Sequence, residues 1–127
     1  MINEKVYIPK IKDTLGVKRI DMPQIVGKDY EAYKKFLNSN NIKLTALTVK
    51  ASSLKPIQKE FDKKKVMNFI DAMSKGLEDK PLLVSKDNYI VDGHHRWLAR
   101  KNLNDDVKII KANVDINKLL QISNSLK

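Results

Sequence analysis

The chain has 127 residues, no cysteine, and 25 Lys+Arg against 15 Asp+Glu, a formal net charge of +10. This length fits one domain with a core of its own, and the absence of cysteine excludes disulfides, thiolate zinc sites and a cysteine nucleophile. No apolar stretch reaches the length of a membrane span, and Met1 to Ile20 carries scattered lysines without an apolar signal core, so we expect a soluble, cytoplasmic chain with no membrane partner. The basic excess suits nucleotides, nucleic acid or acidic surfaces, and a solvated lysine face explains it equally well.

Met1 to Met22 shows no sustained periodicity, and Pro23 makes Met22–Ile25 an extended or turn segment. From Asp29 to Asn38, Tyr30, Tyr33, Phe36 and Leu37 recur at helical spacing, with Asp29 and Glu31 in the first turn and asparagines at the end. We read that aromatic stripe as core packing. Leu44–Val49 is a short strand, and Ala51–Asp62 a connector. Asp62 then caps a helix in which Val66, Phe69, Ile70 and Met73 form one apolar face and Gly76 ends it. Leu82–Val84 and Tyr89–Val91 are strands around a Lys86–Asn88 turn. A helix follows from Gly93 or His94 to about Leu103, then a strand over Val107–Ala112 and a helix capped by Asp115 with Ile116, Leu119 and Leu120 inward. The pattern predicts an α+β fold, a small mixed β-sheet with packed helices. We divide it into an arm and helix over 1–43, packing on the core, and a domain over 44–127.

Chemically capable side chains concentrate between Tyr89 and Leu98, where strand gives way to helix. Such a junction points backbone N–H groups and partial positive charge outward, so its natural guest is an anion such as phosphate. Arg96 supplies a planar fork, and an arginine in a helix's first turn opposes the dipole unless an anion or a carboxylate, Asp92 or Asp62, answers it. Gly93 permits either close backbone approach to a ligand or a φ that other residues dislike. His94 and His95 point about 100° apart on a helix and do not make a zinc motif. Asp92 is either a helix cap or, with one imidazole, a Mg²⁺ ligand. Trp97 reads as core, and Arg100 as an exposed neighbour of Arg96. A second basic patch runs from Lys55 through Lys59 and Glu60 to Lys63, Lys64 and Lys65, where three lysines oppose the dipole of the capped helix.

Together the patches resemble the ParB N-terminal-domain and sulfiredoxin superfamily. Leu54-Lys55-Pro56-Ile57-Gln58 through Asp62-Lys63-Lys64-Lys65-Val66 is similar to that family's first motif. Pro81-Leu82-Leu83-Val84 through Val91-Asp92-Gly93-His94-His95-Arg96 is similar to its strand pair and phosphate-binding helix. The likeness covers about 44–120, and Met1–Lys43 resembles only the leader of phage-encoded relatives. It implies a compact ParB/sulfiredoxin-like fold in which Gly93, His95 and Arg96 hold nucleotide phosphates, Lys65 approaches them, and Lys55 occupies the basic position before the proline. His94 stands where sulfiredoxin has its reactive cysteine, which removes sulfinic acid reduction. Glu60 is the nearest match, offset in spacing, to the general base of relatives that phosphorylate free serine. ParB proper binds CTP through an arginine-rich second motif and adds a helix-turn-helix domain, for which we expect no room in this chain.

These readings converge on a nucleotide-phosphate-binding domain using ATP, ADP or CTP with Mg²⁺, as a hydrolase or small-molecule kinase. Arg96, Lys65 and His95 would neutralise charge, with Glu60 or His94 as proton acceptor. The alternatives are a DNA-binding ParB-like protein or a metal-dependent nuclease using Asp92, His94 and His95, and a protein-binding module with a degenerate pocket. The leading reading expects Arg96 and the amides ahead of it to form an oxyanion pocket, with room over Gly93 for a phosphoryl group.

Overall fold

A computed structural model describes residues 6–18, 29–77 and 80–124. The Met22–Ile25 turn and the side chain of Tyr30 lie outside the described residues. Helices α1 (Asp29–Ser39), α2 (Lys63–Ser74), α3 (His94–Asn102) and α4 (Ile116–Asn124) pack on strands β1 (Leu44–Lys50), β2 (Lys55–Pro56), β3 (Leu82–Val84), β4 (Tyr89–Asp92) and β5 (Asp106–Ala112). The sheet order is β1-β5-β3-β4-β2. β1/β5 and β3/β4 are antiparallel, and β5/β3 and β4/β2 are parallel, giving the mixed sheet expected. β2 falls inside what the sequence reads as a connector. It is two residues long and includes Pro56, which lacks an N–H and so carries no strand signature.

Alternation along the central strands sorts their side chains onto two faces. Leu83, Val91 and Ala112 join Tyr33 and Leu37 of α1 and Ile116 and Leu119 of α4 in one core. Leu82, Val84, Ile90, Val107 and Ile109 join Val66 of α2 and Trp97 and Leu98 of α3 in the other. Covered on both sides, β3 is buried at every residue, which is why it reads as a continuous apolar run rather than an alternating one. Tyr33 and Leu37 of α1 thus belong to the same core as the strands. Leu120 is only half-buried on α4, while Ile116 and Leu119 are inward.

The helix ends follow local chemistry. α1 stops where Asn41 enters the left-handed region at φ 63° and Ile42 N–H donates to Leu37 O. α2 stops at Gly76, whose φ of 97° lets its own N–H and that of Leu77 return to the Met73 and Ala72 carbonyls. Asp62 Oδ1 accepts from Lys65 N–H at 3.2 Å and Asp115 Oδ1 from Lys118 N–H at 2.9 Å, capping α2 and α4. In the β3–β4 turn Asp87 Oδ1 accepts from Ser85 Oγ and, at 3.0 Å, from Ile116 N–H, which pins α4 to the hairpin. Among the described residues no helix is long and apolar enough to cross a membrane.

Candidate functional site

β4 ends at Asp92, the chain turns at Gly93, and α3 begins at once at His94. Gly93 has φ 97° and is the N-cap, so α3, unlike α2, starts without a side-chain cap. A Cβ at position 93 would stand 2.5 Å from Leu82 Cδ2 and 2.7 Å from Arg96 Nη2. Both facts demand glycine, one through backbone conformation and one through crowding. The crowding also corrects an expectation: the space over Gly93 is filled by Leu82 and by the Arg96 guanidinium.

Arg96 is the centre of the turn. Its Nη1 donates to the Lys80 carbonyl at 2.6 Å, and its Nη2 stands 3.5 Å from Asp92 Oδ2, with the two side chains 17% and 22% exposed. Of the two carboxylates the sequence offers, Asp92 is the partner. Burial raises the Asp92 pKa above the usual carboxylate range, against the lowering pull of Arg96, Lys80 and a hydrogen bond from the Gly93 backbone. Sequence does not single out Lys80, because a backbone carbonyl used as an acceptor leaves no trace in residue type. Leu82 reads from sequence only as part of a strand.

The two histidines bind the scaffold. His94 is buried, and its Nε2 accepts from Ile57 N–H at 3.1 Å and Gln58 N–H at 3.4 Å, so the remaining ring nitrogen carries the proton. Burial, with the neighbouring His95 adding to it, pushes its pKa down to about 3. The expectation that His94 accepts a proton from a substrate does not fit this geometry, because the nitrogen with the lone pair is already engaged by two backbone amides. His95 is 8% exposed, and its Nε2 accepts from Asp62 N–H at 3.0 Å. Phe61 meets both imidazoles edge-on, with ring centroids 6.1 and 5.6 Å away. The nuclease arrangement of Asp92, His94 and His95 around a metal finds no support in these directions. Among the described residues, no group of three or more His, Cys, Asp or Glu could hold a metal ion.

The hydrogen bond from Asp62 to His95 does bring the two motifs together: the N-terminus of α2 is tied to the first turn of α3. Neither helix carries an acidic residue in its first turn. Lys63, Lys64 and Lys65 stand exposed on α2, and Glu60 stands exposed two residues before its cap. Lys55 holds its ammonium 4.3 Å from the centroid of the Tyr89 ring. Trp97 is fully buried and donates from Nε1 to Ala51 O at 2.8 Å, a core residue as expected. Arg100 is held rather than loose: it donates to Asp105 at 3.1 Å and to the Leu77 carbonyl at 3.2 Å, with its side chain 18% exposed.

Comparison with known proteins places the chain in a family. The family model for the ParB N-terminal domain matches residues 16–124, a span that begins well before the 44–120 over which the sequence motifs are recognisable. A Pnob8-like ParB-N domain, in its C2221 form, matches with a TM-score of 0.51 at 20% identity over 67% of this chain and 36% of that one. A pNOB8-like ParB N-domain gives 0.49 at 20% identity over 67% and 33%. The matched region thus spans about a third of those chains, and at this identity the first likeness is one of fold. No curated protein matches. The fold and the match across most of the chain establish that it belongs to the ParB N-terminal domain family.

Proposed function

We propose that the chain binds the phosphates of a nucleotide, ATP, ADP or CTP with Mg²⁺, at the turn from β4 into α3. The observation that carries this reading is the convergence of two helix N-termini, joined through Asp62 and His95, whose first turns hold arginine and lysines and no acid, with α3 lacking a side-chain cap. Helix N-termini favour anions through unpaired amides and the dipole, and cations placed there oppose the dipole until an anion arrives. Arg96 is the phosphate clamp. To serve, it leaves the Lys80 carbonyl and Asp92 and turns toward the ligand, vacating its own share of the space over Gly93 while Leu82 keeps the other side closed. Lys65 approaches from α2, while Gly93 and His95 shape the turn. Lys55, set against Tyr89, supplies charge at longer range.

Mg²⁺ would arrive with the phosphates and spread their charge. Asp92 is the carboxylate beside the turn that can meet it once Arg96 has moved. His94 is held by backbone amides, so proton acceptance during hydrolysis or transfer to a small acceptor falls to Glu60, making Glu60→Gln the variant to assay for turnover.

Millimolar nucleotide with Mg²⁺ is expected to raise the melting temperature, since a ligand at ~100 times its Kd stabilises by about 2.7 kcal/mol. Arg96→Ala should remove the rise while the unliganded chain still folds. No rise with ATP, ADP or CTP would defeat the proposal. DNA binding that weakens steeply with salt, without any nucleotide effect, would favour a nucleic-acid function for the same basic surface.

A further inference from the structure

The two edges of the sheet are finished differently. β2 is two residues long and contains Pro56, and the chain just beyond it is bridged by the arm, where Val17 N–H donates to Ile57 O at 3.0 Å and Lys59 N–H donates to Val17 O at 2.8 Å. β1 at the opposite edge runs seven residues, stays in unbroken register with β5, and has no strand on its outer side among the described residues. From Leu44 to Val49 it reads Leu-Thr-Ala-Leu-Thr-Val, with no charge, proline or glycine. Edges are ordinarily shielded by charge, proline, a bulge or a covering segment, and among the described residues this stretch of β1 shows none of these.

We propose that β1 pairs antiparallel with β1 of a second copy of this chain, about a two-fold axis through Leu47, joining the two sheets into one. Leu47 is the middle residue of the strand and is 42% exposed. In this register Leu47 faces its own copy, Ala46 faces Thr48, Thr45 faces Val49 and Leu44 faces Lys50, so no charge stands opposite a like charge. An isologous pairing of this kind closes on itself. Lys50 also comes to lie over Leu44 of the second copy, on the face where a shallow groove is lined by Leu44, Ala46 and the exposed Glu31. Lys34 and Lys35 line the same groove, and each copy carries a net charge of +10. Long-range repulsion therefore opposes the pairing, and added salt strengthens it.

Because the chain has no cysteine, single-cysteine variants report the contact without background. In Leu47→Cys the axis places the two thiols on directly opposed residues, within about 5.5 Å between Cα atoms and inside disulfide range. In Thr45→Cys the two Cα atoms stand more than about 13 Å apart, out of range. Mild oxidation of Leu47→Cys is expected to give covalent dimer roughly tenfold faster than Thr45→Cys. Light scattering on the unmodified chain should give a mass rising from 14.6 kDa toward twice that value with concentration and salt, and Leu47→Lys should hold it at the monomer mass with an unchanged melting temperature. A chain that stays at 14.6 kDa at millimolar concentration in both about 0.1 M and about 1 M salt overturns the proposal. So does a dimer in which Leu47→Cys cross-links no faster than Thr45→Cys, since its contact lies on another face.

Discussion

α2 and α3 begin one hydrogen bond apart, yet their first turns are built in opposite ways. α2 has a side-chain cap and carries three exposed lysines. α3 has a glycine in the cap position, buries His94 and His95, and holds Arg96 between a carbonyl and a carboxylate. The contrast divides the shared motif by task. His94 and His95 use their ring nitrogens to fix the backbone of the connector and the start of α2, while the α2 lysines face the outside and Arg96 is held, mostly covered, against Lys80 and Asp92. In this chain the Nε2 atoms of His94 and His95 are taken up by backbone amides of the segment that leads into α2.

The largest break in this arrangement comes at His94. His94→Ala leaves the Ile57 and Gln58 amides without their acceptor in a buried place, and urea unfolding should show a loss of about 3 kcal/mol. The pH dependence has a definite sign. With the folded pKa pushed down to about 3 and the ordinary value at 6.5, the unfolded chain takes up a proton that the native chain refuses. Stability therefore falls by about 1.4 kcal/mol per pH unit as pH drops from 6.5 toward 3, and His94→Ala should lack that component of the slope. Equal slopes in both chains would show that the imidazole is not held neutral.

Gly93→Ala comes next. The added methyl meets Leu82 and Arg96 in a backbone conformation that alanine disfavours, for an expected cost of about 2 kcal/mol in stability. The same change displaces the guanidinium, so it should also blunt the nucleotide-induced rise in melting temperature. A variant as stable as the parent would mean that Leu82 and Arg96 yield easily.

Asp92→Asn is the mildest test. Since burial raises the Asp92 pKa, its charged form costs stability at neutral pH, and this cost disappears as pH falls below the raised value toward the ordinary 3.8. The variant should match or exceed the parent by up to about 1 kcal/mol at pH 7, with the difference shrinking in acid. A large loss at pH 7 would instead mean that attraction to Arg96 outweighs the burial of the carboxylate.

Much of this is legible in the sequence. Apolar spacing marks α1, α2 and α4, the Asp62 and Asp115 caps and the Gly76 stop set helix ends, and Asp92–Arg96 stands out as the candidate site, because each of these signals is local and acts within a turn or two of chain. The failures share a cause. β2 exists only because β4 lies beside it, the acceptor for Arg96 is the Lys80 carbonyl sixteen residues back, and the partners of His94 and His95 are amides more than thirty residues away. Residue type records which groups a chain carries, and periodicity records which face turns inward. Which backbone N–H a buried imidazole meets, and whether an arginine rests on a carbonyl or waits in solvent, is decided by packing, because every buried polar group takes the partner that the assembled fold brings within reach.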